Sequence, residues 1–277
     1  MNQNNINIFV DTLDYIKSNK LLSDSSFRSS KSTDIYKEII TSDKKIEKAG
    51  KITITTNRTF EAAIKLHNKY PNKKIAVLNF ASATNPGGGV TNGSSAQEES
   101  LCRCSTLYPV LNSNYLFRNF YLPNRQEHNP LHNDKIIYSP DIVICKSDDG
   151  NYRRLKENEF VHVDVISAAA PNLRERPSNR YNNDGDNSVS ISDKELYKIH
   201  ISRGKQILES ALRNNVDILV LGAFGCGAFK NDPNIVAEAY KDLMHEYSKY
   251  FDEIEFAIYC REYDKENYYI FNDILRN

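Results

Sequence analysis

The chain has 277 residues, 40% hydrophobic and 26% charged, an ordinary composition for a globular protein of one large or two small domains. Its 36 Lys and Arg balance 36 Asp and Glu, which excludes a general nucleic-acid binder, because that function needs a basic excess to neutralise phosphates. The opening MNQNNINIFVDTLDYIKSNK carries Asp11 and Asp14 and lacks a basic n-region, so no signal peptide is expected, and no apolar run approaches the length that spans a bilayer. Five scattered cysteines, an odd count, suit a reducing cytoplasm better than a disulfide framework.

Ile6, Phe9, Leu13 and Ile16 recur at helical spacing and predict a helix over 6–20. SDSSFRSSKS reads as a Ser-rich connection, and Ile35, Ile39, Ile40 and Ile46 predict a second helix over 33–48. Residues 1–50 are thus expected to form a helical N-terminal extension packed on a core at 51–277. In that core ITITT (52–56) is a β-branched strand, and Asn57 or Thr59 is the expected cap of a helix through FEAAIKLHNKY. IAVLNF (75–80) is a nearly continuous apolar run that suits a strand covered on both faces, and a helix is predicted from 97 to 111. IIYSPDIVICK (136–146) gives one or two strands, FVHVDVISAAAPN (160–172) another, and RERPSNRYNNDGDNSVS (174–190) a long polar loop. A helix over 193–214, a strand over 216–224, a helix opened by Asp232 and Pro233, a strand over 253–260 and an amphipathic segment over 264–275 complete the reading. Strands alternating with helices predict an α/β fold with the sheet between helical layers.

Two apolar strands run into glycine-rich turns: IAVLNF into Asn85-Pro-Gly87-Gly88-Gly89, and ILVLGAF into Gly225-Cys226-Gly227-Ala228-Phe229. Such a turn aims free amides at a phosphate beyond the carboxyl end of its strand, and two of them suit a diphosphate. Each taken alone is equally a tight turn. Beside the first lie Glu98 and Glu99, readable as an acid–base pair or as acids drawn to the first turn of a helix. Cys102 and Cys104 have no second pair for structural zinc, and Cys226 has no histidine in its motif to make it a nucleophile. His128 and His132 fall in a Pro-containing stretch and are expected on the surface, while His162 lies in a strand.

The triglycine followed by seven residues and Gln97-Glu98-Glu99 resembles the signature of poly(ADP-ribose) glycohydrolases, and NFASATNPGGG with AQEESLCR and LYP resembles the microbial type. DVISAAAPN, SRGKQILESAL and GAFGCGAFKND follow in the order of that family, and the resemblance runs from about residue 50 to the C-terminus plus part of the helical extension. The resemblance implies a three-layer α/β/α macro-domain-like sandwich with a mixed central sheet and an ADP-ribose cleft, hydrolysis of the ribose–ribose bond of poly(ADP-ribose), and no metal or other cofactor. By motif position Glu99 is the implied general acid/base and Glu98 the holder of ribose hydroxyls. Asn85, Gly87, Gly88, Gly89, Val90 and Gln97 on one side, and Gly225, Cys226, Gly227, Ala228 and Phe229 on the other, are the implied substrate contacts. Ser167 to Asn172 is expected along the cleft. The implied partners are ADP-ribosylated macromolecules as substrate and ADP-ribose as product, for a cytoplasmic monomer. An ADP-ribose reader without catalysis and a mono-ADP-ribosyl hydrolase are the alternatives on the same scaffold.

Overall fold

Helices α1 (Gln3–Ser18) and α2 (Lys20–Ser32) precede strands β1 (Asp34–Tyr36) and β2 (Lys51–Thr55) in the computed structural model, which describes residues 2–38, 41, 46–178, 184–185 and 187–276. Helix α3 (Thr59–Lys69) leads to β3 (Ile75–Phe80), followed by α4 (Gln97–Cys104) and α5 (Leu107–Leu111). Next come α6 (Asn114–Leu116), a π turn (Phe117–Tyr121) and α7 (Leu122–Glu127). Strands β4 (Ile136–Ile144) and β5 (Val161–Ala168), α8 (Asp193–Arg213), β6 (Ile218–Leu221), α9 (Pro233–Tyr247), β7 (Glu253–Ala257) and α10 (Glu266–Arg276) follow.

The seven strands pair in the order β1-β4-β5-β3-β6-β7-β2. From β5 to β2 the pairing is parallel, while β4 runs antiparallel to both β5 and β1, so the sheet is mixed. The apolar runs are continuous because both faces are covered. Strand periodicity sends Ile75, Val77, Ile218 and Val220 to one face, against Phe60 and Leu66 of α3, Leu101 of α4, Leu107 of α5 and Phe9 of α1. Ala76, Leu78, Leu219 and Leu221 face the other way, against Leu208 of α8, Tyr240 of α9 and Phe271 of α10. Three layers result, a macro-domain-like α/β/α sandwich. Each fully buried Leu, Val or Phe on these faces contributes about 1.5–3 kcal/mol of transfer free energy. Because β5, β3, β6 and β7 run parallel, the loops after them meet at a single edge of the sheet, where α/β sheets bind ligands.

The N-terminal reading is corrected in two places. The Ser-rich connection is helix α2: Asn19 caps it by accepting from the Leu22 amide, and Ser25, Ser26 and Ser29 are buried. Their small side chains let α2 lie close to β4, with Ser25 Oγ donating to the Asp141 carbonyl at 3.0 Å. In place of a helix from residue 33, Asp34–Tyr36 forms an edge strand with Ile35 opposite Ile137, and residues 46–50 are not helical. Ile39 and Ile40 lie outside the described residues. Pairing with β4 satisfies the backbone here and buries Ile35, which overrides a weak helical period.

Other differences trace to distant partners. The helix predicted over 97–111 breaks at Ser105 and Thr106, where the Thr106 amide donates to the Val143 carbonyl and the Val143 amide to Thr106 Oγ1. Helix α3 is capped by neither Asn57 nor Thr59. Arg58 occupies the cap position, and Asp148 Oδ2 accepts from the Phe60 amide at 3.2 Å. His132 is buried, not exposed, with Nδ1 at 2.9 Å from the Ala170 carbonyl and Nε2 at 3.2 Å from Asp184. The π turn and its flanking helices have no counterpart in the sequence reading.

Candidate functional site

The end of β3 fixes the start of α4. Gln97 accepts from the Phe80 amide at 2.9 Å and donates to the Leu78 carbonyl and Thr59 Oγ1 at 2.7 and 3.0 Å. With that turn pinned, Glu98 and Glu99 both lie at the cleft although helical neighbours diverge by about 100°. Glu98 is held on both oxygens: Oε1 accepts from Asn79 Nδ2 at 3.2 Å and Oε2 from the Ser82 amide at 2.8 Å. Asn79 in turn donates to Ser167 Oγ at 3.0 Å, tying β3 to β5 beneath the pair. Glu99 is held on one oxygen only. Its Oε1 accepts from the Gly89 amide at 2.9 Å, while its Oε2 is buried without a hydrogen-bond partner.

Burial pushes the Glu98 carboxyl well above the usual carboxylate range, the Glu99 charge adds to this, and donors from Ser82, Asn79 and Gly87 pull it back. Glu99 is also raised, chiefly by burial, against the Gly89 amide and the nearby Arg103 charge. Two carboxyls so close titrate as a pair and retain a proton where an isolated carboxyl has lost it. Burial raises Glu98 further than Glu99 even with its donors, so the retained proton is shared by the pair, and Glu99 Oε2 is the oxygen of the pair without a protein partner.

Gly88 shows why this loop has no side chains. At φ +58° an added Cβ would stand 2.7 Å from Glu99 Oε1 and 3.1 Å from Glu98 Oε2. The glycine makes room for the carboxylates themselves as well as for a ligand. On the facing wall, the amides of Gly225, Gly227, Ala228 and Phe229 donate to no acceptor among the described residues. Several free amides in one turn can accept an anion.

These walls enclose a cleft of about 880 Å³. Of the residues singled out in the sequence, Gly88, Gly89, Gln97, Glu98, Glu99, Gly225, Gly227, Ala228 and Phe229 line it. Asn85, Gly87, Val90 and Cys226 do not: Val90 is buried in the core, Gly87 faces the Tyr108 ring, and the Cys226 thiol turns to the Phe224 carbonyl. Asn85 Oδ1 accepts from Arg125, which also donates to the Thr84 carbonyl at 2.6 Å. Of the expected Ser167–Asn172 lining, Ala170 reaches the cleft.

Several lining residues were missed. Arg58 and Tyr259 follow the ends of β2 and β7, and the Arg58 guanidinium sits 3.9 Å from the Tyr259 ring centre, over a ring that is 52% exposed. Both follow strand ends on the ligand-binding edge, which was a usable signal. Arg174 stands 5.6 Å from the Phe229 ring centre and donates to Asn172 Oδ1 at 2.9 Å. Since β5 and β2 lie on opposite flanks of β3, Arg174 after β5 and Tyr259 after β7 mark the two ends of the cleft. Asp148, on the cleft wall, accepts from Ser100 Oγ at 2.8 Å as well as from Phe60. Its position 48 residues from Ser100 left no local signal.

The chain is similar to known proteins over most of its length. A family profile described as "Microbial-type PARG, catalytic domain" matches residues 5–147. The poly(ADP-ribose) glycohydrolase of Thermomonospora curvata bound to the inhibitor ADP-HPD superposes with a TM-score of 0.79 at 25% identity, over 98% of this chain and 99% of that one. The enzyme of Deinococcus radiodurans in complex with ADP-ribose gives a TM-score of 0.76 at 30% identity, over 91% of this chain and 96% of that one. No curated protein sequence matches. No helix among the described residues is long and apolar enough to cross a membrane.

Proposed function

The chain belongs to the microbial-type poly(ADP-ribose) glycohydrolases, and from that membership we propose that it releases ADP-ribose from chain ends of poly(ADP-ribose), with Glu99 as acid and then base. The observation that carries the role is the buried, unpartnered Oε2 of Glu99 beside a fully bonded Glu98. A carboxyl kept protonated by burial gives its proton to the leaving ribose oxygen as the anomeric carbon takes on oxocarbenium character. The same carboxylate then takes a proton from the water that adds to that carbon. Glu98 accepts from ribose hydroxyls and places the bond. This differs from the scheme with two separated catalytic carboxylates.

In this reading the free amides of the Gly225–Phe229 turn hold the diphosphate, Gly88 and Gly89 approach it from the other side, and Phe229 packs on the distal ribose. Asn85, Gly87, Val90 and Cys226 act from behind the wall by shaping the two turns, and Gln97 lines the cleft while pinning the start of α4. Tyr259, with Arg58 on its ring, offers the adenine a flat face at the far end. Residues 1–50 serve as an extension braced on the catalytic part: Thr12 Oγ1 donates to the Arg103 carbonyl and Lys146 Nζ to the Ile8 carbonyl, at 2.6 and 3.0 Å. A reducing cytoplasm suits the five free cysteines, and the chain is proposed to act as a monomer.

Incubation of wild-type protein and the Glu99→Gln variant with poly(ADP-ribose), with free ADP-ribose as readout, tests the assignment. Loss of a general acid lowers release by roughly 100-fold or more. Equal release by the two proteins refutes the role of Glu99.

A further inference from the structure

The α1 side of the cleft carries polar and aromatic groups that holding ADP-ribose does not use. Ser94 stands beside Gly89: a Cβ there would lie 2.3 Å from Ser94 Oγ and 3.6 Å from Glu99 Oε1, so hydroxyl and reactive carboxyl flank the same glycine. The Ser94 carbonyl accepts from Arg103 Nη1 at 2.6 Å, and the Arg103 guanidinium lies 5.6 Å from the Tyr152 ring centre. Tyr152 has φ +54°, a conformation sparsely populated by aromatic residues, and it holds its ring on the cleft wall. Next to Ser94, Asn5 of α1 is 8% exposed and lines the cleft. Its Nδ2 donates to the Gly93 carbonyl at 3.0 Å, and its Oδ1 has no hydrogen-bond partner among the described residues.

We infer that Asn5, Ser94, Ser95 and Tyr152 form a subsite for the adenosine on the leaving side of the bond, the first nucleoside of the polymer that remains after cleavage. The inference rests on the glycohydrolase reading above and names what lies beyond the scissile oxygen. An adenine offers a π-face for a tyrosine ring and an exocyclic amine for an amide oxygen, and its ribose offers hydroxyls for serines. The position suits that ligand. The free amides of the second turn sit where Gly225 packs against Ala170 and Asn231, whereas Asn5, Ser94 and Tyr152 belong to the α1 and α4 side of the sheet. Glu99 stands between the two groups, so a bond whose ADP-ribose side rests on the amides presents its leaving oxygen toward Ser94.

The test uses Tyr152→Ala and Ser95→Trp, the second at an exposed position where bulk obstructs the subsite without entering the core. Three quantities are measured: kcat/KM on poly(ADP-ribose), ADP-ribose affinity by calorimetry, and binding of adenosine 5′-monophosphate to protein saturated with ADP-ribose. Each variant loses roughly ten-fold in kcat/KM on polymer, as expected for one lost base stack, while ADP-ribose affinity stays within about two-fold. Binding of the monophosphate to the saturated wild-type protein disappears in both. Wild-type polymer hydrolysis by Ser95→Trp, or by a Tyr152→Ala protein that binds ADP-ribose normally, overturns the subsite and leaves the glycohydrolase reading intact. Failure of the wild-type protein to release ADP-ribose from polymer overturns that reading instead.

Discussion

Asp148 joins two elements that frame the cleft, and its titration makes that joint measurable. One oxygen accepts from the Phe60 amide in the first turn of α3, and the other from Ser100 Oγ, one residue beyond Glu99. Burial lifts its carboxyl from 3.8 to about 6, against the hydrogen bonds from Ser100 and Phe60 and the Arg58 charge. A folded-state value raised above the unfolded one means that the group's stabilising contribution is fully present below 3.8 and is lost as pH rises through about 6. Linkage over that shift gives a cost of about 2 kcal/mol at pH 5 and about 3 kcal/mol at pH 8. Asparagine keeps an acceptor for Phe60 and does not titrate. Between pH 5 and pH 8 the Asp148→Asn variant therefore gains on the order of 1 kcal/mol relative to wild type, whatever its offset at either pH. Urea unfolding of both proteins at the two pH values measures this, and all other carboxyls cancel in the comparison. A stability difference that is the same at both pH values within about 0.5 kcal/mol refutes the assignment.

Three further outcomes follow from the site. Gly88→Val drives a side chain into both carboxyls and lowers ADP-ribose release from polymer by roughly 100-fold or more, and wild-type release contradicts the geometry. Tyr259→Ala removes the exposed ring under Arg58 and raises the ADP-ribose Kd roughly ten-fold by calorimetry; an unchanged Kd places the adenine elsewhere. The rate of polymer hydrolysis holds steady above pH 4.5, where an ordinary glutamate would already have lost its proton, and falls as pH rises through the raised range of the Glu98–Glu99 pair. A rate that instead falls from pH 4.5 upward shows that the pair is not raised.

How far the sequence could be read depended on whether the signal was local. The run 75–80 was legible as a doubly covered strand and 216–224 as an apolar strand, and the glycine turns after them supply Gly88, Gly89 and Gly225 to the cleft. Helix α2 escaped because its buried face is serine, which carries no hydrophobic period yet packs closely on β4. The cap of α3 escaped because its acceptor, Asp148, lies 88 residues away from Phe60. The same division runs through the carboxylate pair. Adjacent glutamates are legible in any sequence, but their difference is not. It arises from Asn79 in β3 and from Ser82 and Gly89 in the loop after it, donors that close both oxygens of Glu98 and leave one of Glu99 without a partner. In the roles proposed above, Glu99 keeps one oxygen without a protein partner and Glu98 has both tied. The loop supplies both conditions, which is why the glycines and the glutamates occur together: Gly88 clears the space in which the tied and the open carboxyl stand side by side.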